Sequence, residues 1–130
     1  MTRIMTRRLL VAIVFEDSAM RDRLSTSVEA LRHDVLEFVS AEEFMTCFGA
    51  DPCDILLVDD KLPRVTGLGV LKFVREQPGG RHLPIVVFSY EHMREAIERD
   101  NGIFVENEDI SGFYQAVVNA EVVARNAMSQ

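Results

Sequence analysis

The sequence predicts an α/β domain: five βα units doubly wound about one five-stranded parallel sheet. Three observations carry that expectation. Short, β-branched apolar runs alternate with amphipathic stretches along the chain. Three of those runs are apolar throughout, as strands covered on both faces must be. And 130 residues are enough for one hydrophobic core, with no room for a second domain of ordinary length.

The first strand is the run Leu9-Leu10-Val11-Ala12-Ile13-Val14-Phe15, ended by Glu16-Asp17. Residues 18–32 follow with Met20, Leu24, Val28 and Leu31 on one helical stripe and Arg21, Arg23, Glu29 and Arg32 on other faces. Val35-Leu36-Glu37-Phe38-Val39 is broken by Glu37, which suits an edge strand. Ser40 and Glu43 have capping-box spacing and open a short helix reaching Phe48. Ile55-Leu56-Leu57-Val58 is the third strand. Residues 67–76 form a helix carrying Leu68, Leu71, Phe73 and Val74, stopped by Gln77-Pro78-Gly79-Gly80. Ile85-Val86-Val87-Phe88 is the fourth strand, residues 91–99 a short helix, and Ile103-Phe104-Val105 the fifth strand.

Residues 109–127 are the longest periodic segment. Ile110, Phe113, Val117 and Ala120 share one stripe, with Tyr114, Ala116, Val118 and Val122 beside it. That apolar arc is wider than one sheet-facing side requires, and it predicts a homodimer or a protein complex seated on the fifth helix.

Composition removes several function classes. With 48% hydrophobic and 27% charged residues the chain is an ordinary globular one, not disordered or low-complexity. Fourteen Lys and Arg against 21 Asp and Glu leave a net charge of −7, so direct DNA binding through phosphate neutralisation is not expected. Cys47 and Cys53 match neither a CxxC pair nor a zinc knuckle and read as reduced, wholly or partly buried thiols. The basic start and apolar run mimic a signal peptide, but the run ends after seven residues with no small-residue cleavage site. Nothing approaches the roughly 20 apolar residues of a membrane span, so the expected location is cytoplasmic. His33, His82 and His92 are far apart and read as surface residues. No Ser/His/Asp or Cys/His nucleophile arrangement is present, so the chain does not read as an enzyme.

In an open parallel sheet, ligands bind outside the carboxyl ends of the strands. The residues there are Glu16 and Asp17, Asp59 and Asp60, Ser89, and Glu106. If the first, third and fourth strands are neighbours, several carboxylates and a hydroxyl converge at one mouth. Crowded carboxylates call for a positive partner, and oxygen donors without His or Cys favour a hard divalent ion, Mg²⁺ or Mn²⁺. The turn after the first strand, Phe15-Glu16-Asp17-Ser18-Ala19-Met20, has no glycine, which disfavours a dinucleotide or flavin phosphate site.

From about Arg8 to Ala120 the chain resembles the receiver domains of two-component response regulators, including those of the chemotaxis-regulator type. Glu16-Asp17 is similar to the family's acidic pair, and Asp59-Asp60-Lys61-Leu62-Pro63-Arg64-Val65-Thr66-Gly67 to its D-x-x-x-P-x-x-x-G loop. Leu83-Pro84 leads a strand that ends at the switch-hydroxyl position, Ser89. The resemblance implies a flavodoxin-like (βα)5 fold and phosphoryl transfer from a sensor histidine kinase or phosphotransfer protein to Asp59. It further implies Mg²⁺ held by Glu16, Asp17, Asp59 and the Lys61 backbone carbonyl, with Ser89 following the phosphoryl group.

The chain departs from the family at the fifth strand. Where the family has lysine and proline, this chain has Glu106-Asn107. A glutamate there repels both the acceptor and a phosphoryl group, and Lys61 is the nearby cation that could supply charge instead of standing exposed in its loop. The aromatic switch position falls on Ile103, or on Phe104 with a shift of one. The expectation is therefore a single, stand-alone, atypical receiver spanning residues 1–130, its core about 8–120 and its last helix reaching about 127, signalling to a downstream protein. The alternative is a pseudo-receiver adaptor that works without phosphorylation.

Overall fold

The computed structural model describes residues 8–50, 52–107 and 110–129. The amino-terminal residues 1–7 and the expected helix start at Asp109 lie outside the described residues, as do the side chains of Ile110 and Met128.

The elements follow the anticipated order. They are β1 (Leu10–Val14), α1 (Ser18–Ala30), β2 (Asp34–Phe38), α2 (Ala41–Cys47), β3 (Ile55–Asp59), α3 (Gly67–Arg75), β4 (Ile85–Ser89), α4 (Arg94–Arg99), β5 (Ile103–Glu106) and α5 (Ile110–Ser129). The segment expected as one short helix is a 3₁₀ turn, Glu91–Met93, running into the six-residue α4. All strands pair in parallel in the order β2-β1-β3-β4-β5. That is the doubly wound (βα)5 fold, and its order reverses at β1, so the crevice lies between the carboxyl ends of β1 and β3.

Strand alternation divides the core between the two faces. Val11, Ile13, Ile55, Leu57, Val86 and Phe88 pack with Leu24 and Val28 of α1 and with Phe113, Val117 and Ala120 of α5. Ala12, Val14, Leu56, Val58, Ile85 and Val87 pack on the other side with Phe44 of α2, Val70, Leu71 and Val74 of α3, and Ile97 of α4. Glu37, the polar break in the edge strand, turns toward α1, where Arg21 (3.3 Å) and the Ser25 hydroxyl (2.9 Å) meet it. The Ser40 hydroxyl caps α2 by accepting from Glu43 N at 3.1 Å. The Glu43 carboxylate reaches back one residue further than a standard capping box, to Val39 N at 3.0 Å.

One sequence expectation is corrected. His82 and His92 are exposed, but His33 is buried, with 1% of its surface accessible. The chain reverses at Arg32 in a left-handed conformation (φ 68°), and α5 continues far enough to bring Glu121 Oε1 to 3.5 Å from His33 Nε2. Arg125, itself buried, donates to Glu121 at 2.9 Å. Local pattern could not register that cover, because it comes from the far end of the chain.

Cys47 and Cys53 are free thiols, each partly buried. Burial, with Asp54 adding to it, pushes the Cys53 thiol up to about 12, so it is not a nucleophile at neutral pH. Among the described residues no helix is long and apolar enough to cross a membrane.

Candidate functional site at the carboxyl end of the sheet

The β1–α1 turn presents Glu16 and Asp17. Arg21, one turn into α1, clamps that loop by donating to the carbonyls of Phe15 (2.7 Å) and Glu16 (3.0 Å). Asp17 is the N-cap of α1: its Oδ1 accepts from Ala19 N (2.9 Å) and Met20 N (3.3 Å), which holds the carboxylate at the mouth. Glu16 is exposed and lies near enough to Arg64 to favour that guanidinium's charge.

Asp59 ends β3 half-buried. Its Oδ1 accepts from Lys61 N at 3.1 Å, a short turn that orients the carboxylate. Burial raises its proton affinity above that of an ordinary aspartate. The Lys61 amide and ammonium oppose the rise, while Asp60 and Asp17 add to it. The carboxylates that press on Asp59 are thus Asp60 and Asp17. Glu106, at the end of β5, stands in register with Ser89 on the neighbouring strand.

The loop after Asp59 returns tightly. A Cβ on Gly67 would sit 2.8 Å from both the Asp59 carbonyl oxygen and the Asp60 Cα, so only glycine permits this approach. Thr66 caps α3 through Gly69 N at 3.1 Å. Arg64 takes the left-handed conformation (φ 68°) and pairs with Glu42 at 2.6 Å.

Ser89 ends β4 and is buried, with 1% accessible surface. Its hydroxyl donates to Asp60 Oδ2 at 2.7 Å, and its carbonyl accepts from Asn107 N at 2.8 Å. On the adjoining strand, Phe104 lies under the Arg94 guanidinium, 4.4 Å from its ring centroid, on the Ser89 face of the sheet; Ile103 faces the α1–α5 core.

The tertiary structure therefore brings Asp17, Asp59, Asp60, Lys61 and Ser89 to one mouth. Sequence reading placed Asp60 there but missed its bond to Ser89, and missed the clamping role of Arg21. The first joins two strand ends 29 residues apart, and the second goes to backbone carbonyls, which no side-chain pattern marks. Among the described residues, no three His, Cys, Asp or Glu side chains lie together as a ready metal cage. Mg²⁺ does not need one, because it is held by one or two carboxylates and keeps several waters. Asp17 and Asp59, hard oxygen donors in electrostatic contact, fit that requirement.

The chain matches the response regulator receiver domain family over residues 11–102, ending just before the strand that carries Glu106. It is 34% identical over 97 residues to the sensory/regulatory protein RpfC of Xanthomonas campestris, an alignment covering 73% of this chain and 13% of that protein. It is 29% identical over 83 residues to the response regulator protein TodT of Pseudomonas putida, covering 64% of this chain and 36% of that one. The chain thus spans well under half the length of these relatives. In fold it is similar to the chemotaxis protein CheY4 of Vibrio cholerae, with TM-score 0.79, 14% identity, and 88% and 99% of the two chains covered. A second likeness is to the receiver domain of a sensor histidine kinase of Pseudomonas aeruginosa, solved with a magnesium ion coordinated in its active site cleft. There the TM-score is 0.72 at 15% identity, with 92% and 97% of the two chains covered.

Proposed function

The chain belongs to the response regulator receiver domain family, and from that membership we propose that Asp59 accepts a phosphoryl group from a histidine kinase or phosphotransfer protein. The observation that carries this reading is the setting of Asp59: half-buried at the end of β3, oriented by Lys61 N, and flanked by Asp17 and the Lys61 ammonium. An Asp59 oxygen forms a bond to phosphorus as the phosphorus–nitrogen bond of the donor's phosphohistidine breaks, and the electron pair leaves with the imidazole. Asp17, Asp59 and the Lys61 carbonyl are the groups that would hold Mg²⁺ or Mn²⁺, with Glu16, exposed one residue earlier in the same turn, at the edge of that shell. Such an ion offsets the negative charge gathered on the transferring oxygens. Arg21 and the Asp17 cap keep the β1–α1 loop in position for this, and Gly67 lets the acceptor loop close behind Asp59. The signal then passes to a downstream protein through surface contacts.

A second reading, a phosphorylation-independent adaptor, is favoured by Glu106, which puts a carboxylate where the family has its lysine. One experiment separates the two. Intact-protein mass measured after exposure to acetyl phosphate and Mg²⁺ is expected to show one added phosphoryl group that Asp59→Asn abolishes. An unchanged mass, with no transfer from any phosphorylated histidine kinase of the source organism, favours the adaptor.

A further inference from the structure

Ser89 is the residue whose hydroxyl would follow a phosphoryl group on Asp59, yet that hydroxyl is already engaged. Buried at the end of β4, it donates to Asp60 Oδ2 at 2.7 Å. A serine hydroxyl has one proton to give, and an ionised carboxylate is a strong acceptor for it. The same proton cannot serve Asp60 and a phosphoryl oxygen together.

Asp60 is itself tied on three further sides. Its Oδ1 accepts from Leu68 N in the first turn of α3 at 3.0 Å, its amide donates to the Phe88 carbonyl at 2.9 Å, and its carbonyl accepts from Gly67 N at 3.3 Å. It is therefore a fixed acceptor, unable to move with Ser89 without loosening the start of α3.

We propose that Asp60 is a latch on the switch hydroxyl: it holds Ser89 in a resting position, and a phosphoryl group on Asp59 must compete with it for the Ser89 proton. Asp60 is a positioning residue in this scheme, acting through Ser89 and touching no reacting atom. The inference rests on Asp59 being the acceptor. It makes the neighbour of the acceptor the element that sets how readily this chain switches. It also ties α3 to the resting state, since one carboxylate serves both Ser89 and Leu68.

The test is a double-mutant cycle read by beryllofluoride, which mimics a phosphoryl group on an aspartate. Wild type, Asp60→Asn, Ser89→Ala and the double variant are titrated with beryllofluoride in Mg²⁺, and bound probe is followed by ¹⁹F NMR. Asparagine keeps a carbonyl oxygen for Leu68 N but turns an N–H donor toward Ser89, freeing its proton. Asp60→Asn is expected to tighten binding roughly tenfold with Ser89 present, the scale of one charge-assisted hydrogen bond. In the Ser89→Ala background the gain should fall to the smaller effect of removing a nearby charge. An equal gain in both backgrounds, or none in either, overturns the latch while leaving the acceptor reading intact. No probe bound by any of the four proteins overturns the acceptor reading, and the latch with it. Hydrogen exchange at the Leu68 amide, unchanged in Asp60→Asn, shows that α3 has kept its anchor; faster exchange there together with weaker binding makes Asp60 a purely structural residue.

Discussion

The Lys61 ammonium sits over the Tyr90 ring, 4.8 Å from its centroid, which holds a cation from the β3–α3 loop beside the first residue after β4. That same charge lowers the proton affinity of Asp59. On the proposal that Glu106 stands at the family's lysine position, Lys61 is placed to supply part of the positive charge at Asp59. Lys61→Ala is therefore expected to reduce the yield of phospho-Asp59 from acetyl phosphate severalfold, and Tyr90→Ala to reduce it less. Glu106→Lys should raise the yield or the lifetime. Phosphorylation time courses read by intact mass decide the point, and equal yields in all four proteins would remove both roles.

Asp59 gives the fold a defined pH dependence. Its folded-state proton affinity is raised, chiefly by burial, so the native state binds more protons than the unfolded chain through the carboxylate range. Its contribution to stability is present below the unfolded value and lost as pH rises through the folded one. In metal-free buffer, Asp59→Asn should raise Tm at pH 7, and the gain should shrink as pH falls toward 4 and below. Mg²⁺ should reverse the ranking by stabilising wild type and not Asp59→Asn. Asp17→Asn, which keeps a capping oxygen for α1, should retain the metal-free Tm but lose most of the Mg²⁺ effect.

Arg75 ties two loops, the α3–β4 and α4–β5 connections, at the opposite end of the sheet. Its guanidinium donates to the carbonyls of Gly80 (2.7 Å), Leu83 (2.8 Å), Asp100 (2.9 Å) and Asn101 (3.0 Å). These bonds fasten the short α4 and the entries to β4 and β5. Arg75→Ala should cost on the order of 2–4 kcal/mol, and Arg75→Lys should recover little, because an ammonium cannot present the planar fork. Urea unfolding of the three proteins checks this; a full rescue by lysine would show that charge alone matters.

The apolar arc of α5 is only partly consumed by the core. Phe113, Ala116, Val117, Ala120 and Ala124 are buried, whereas Tyr114, Val122 and Val123 are 52%, 53% and 49% exposed. If this face seats a second copy, light scattering should report a concentration-dependent dimer that Tyr114→Asp with Val122→Asp converts to monomer. Substitution is the better tool than truncation at Ala120, which would also uncover His33 by removing Glu121 and Arg125. A monomer at every concentration in both proteins would assign the stripe to another partner or to none.

The strands and their order of covering were legible in the sequence because burial on both faces leaves uninterrupted runs such as Ile55-Leu56-Leu57-Val58, a purely local signature. That Glu16, Asp17, Asp59 and Ser89 gather at one edge was legible too, since the strand ends of a parallel sheet all lie at its carboxyl end. Asp59 and Ser89 are the last residues of β3 and β4, and Glu16 and Asp17 lie in the turn just past β1. What only the tertiary structure decided was which of these groups bond to which. Ser89 gives its proton to Asp60 and not to Asp59, because β3–β4 register sets Asp59 beside Phe88 and leaves Asp60 beside Ser89. His33 is buried because Glu121, from the far end of the chain, arrives beside it. Hydrogen bonds and burial of this kind depend on how strands register and where a distant helix ends, and neither leaves a periodicity that local sequence can carry.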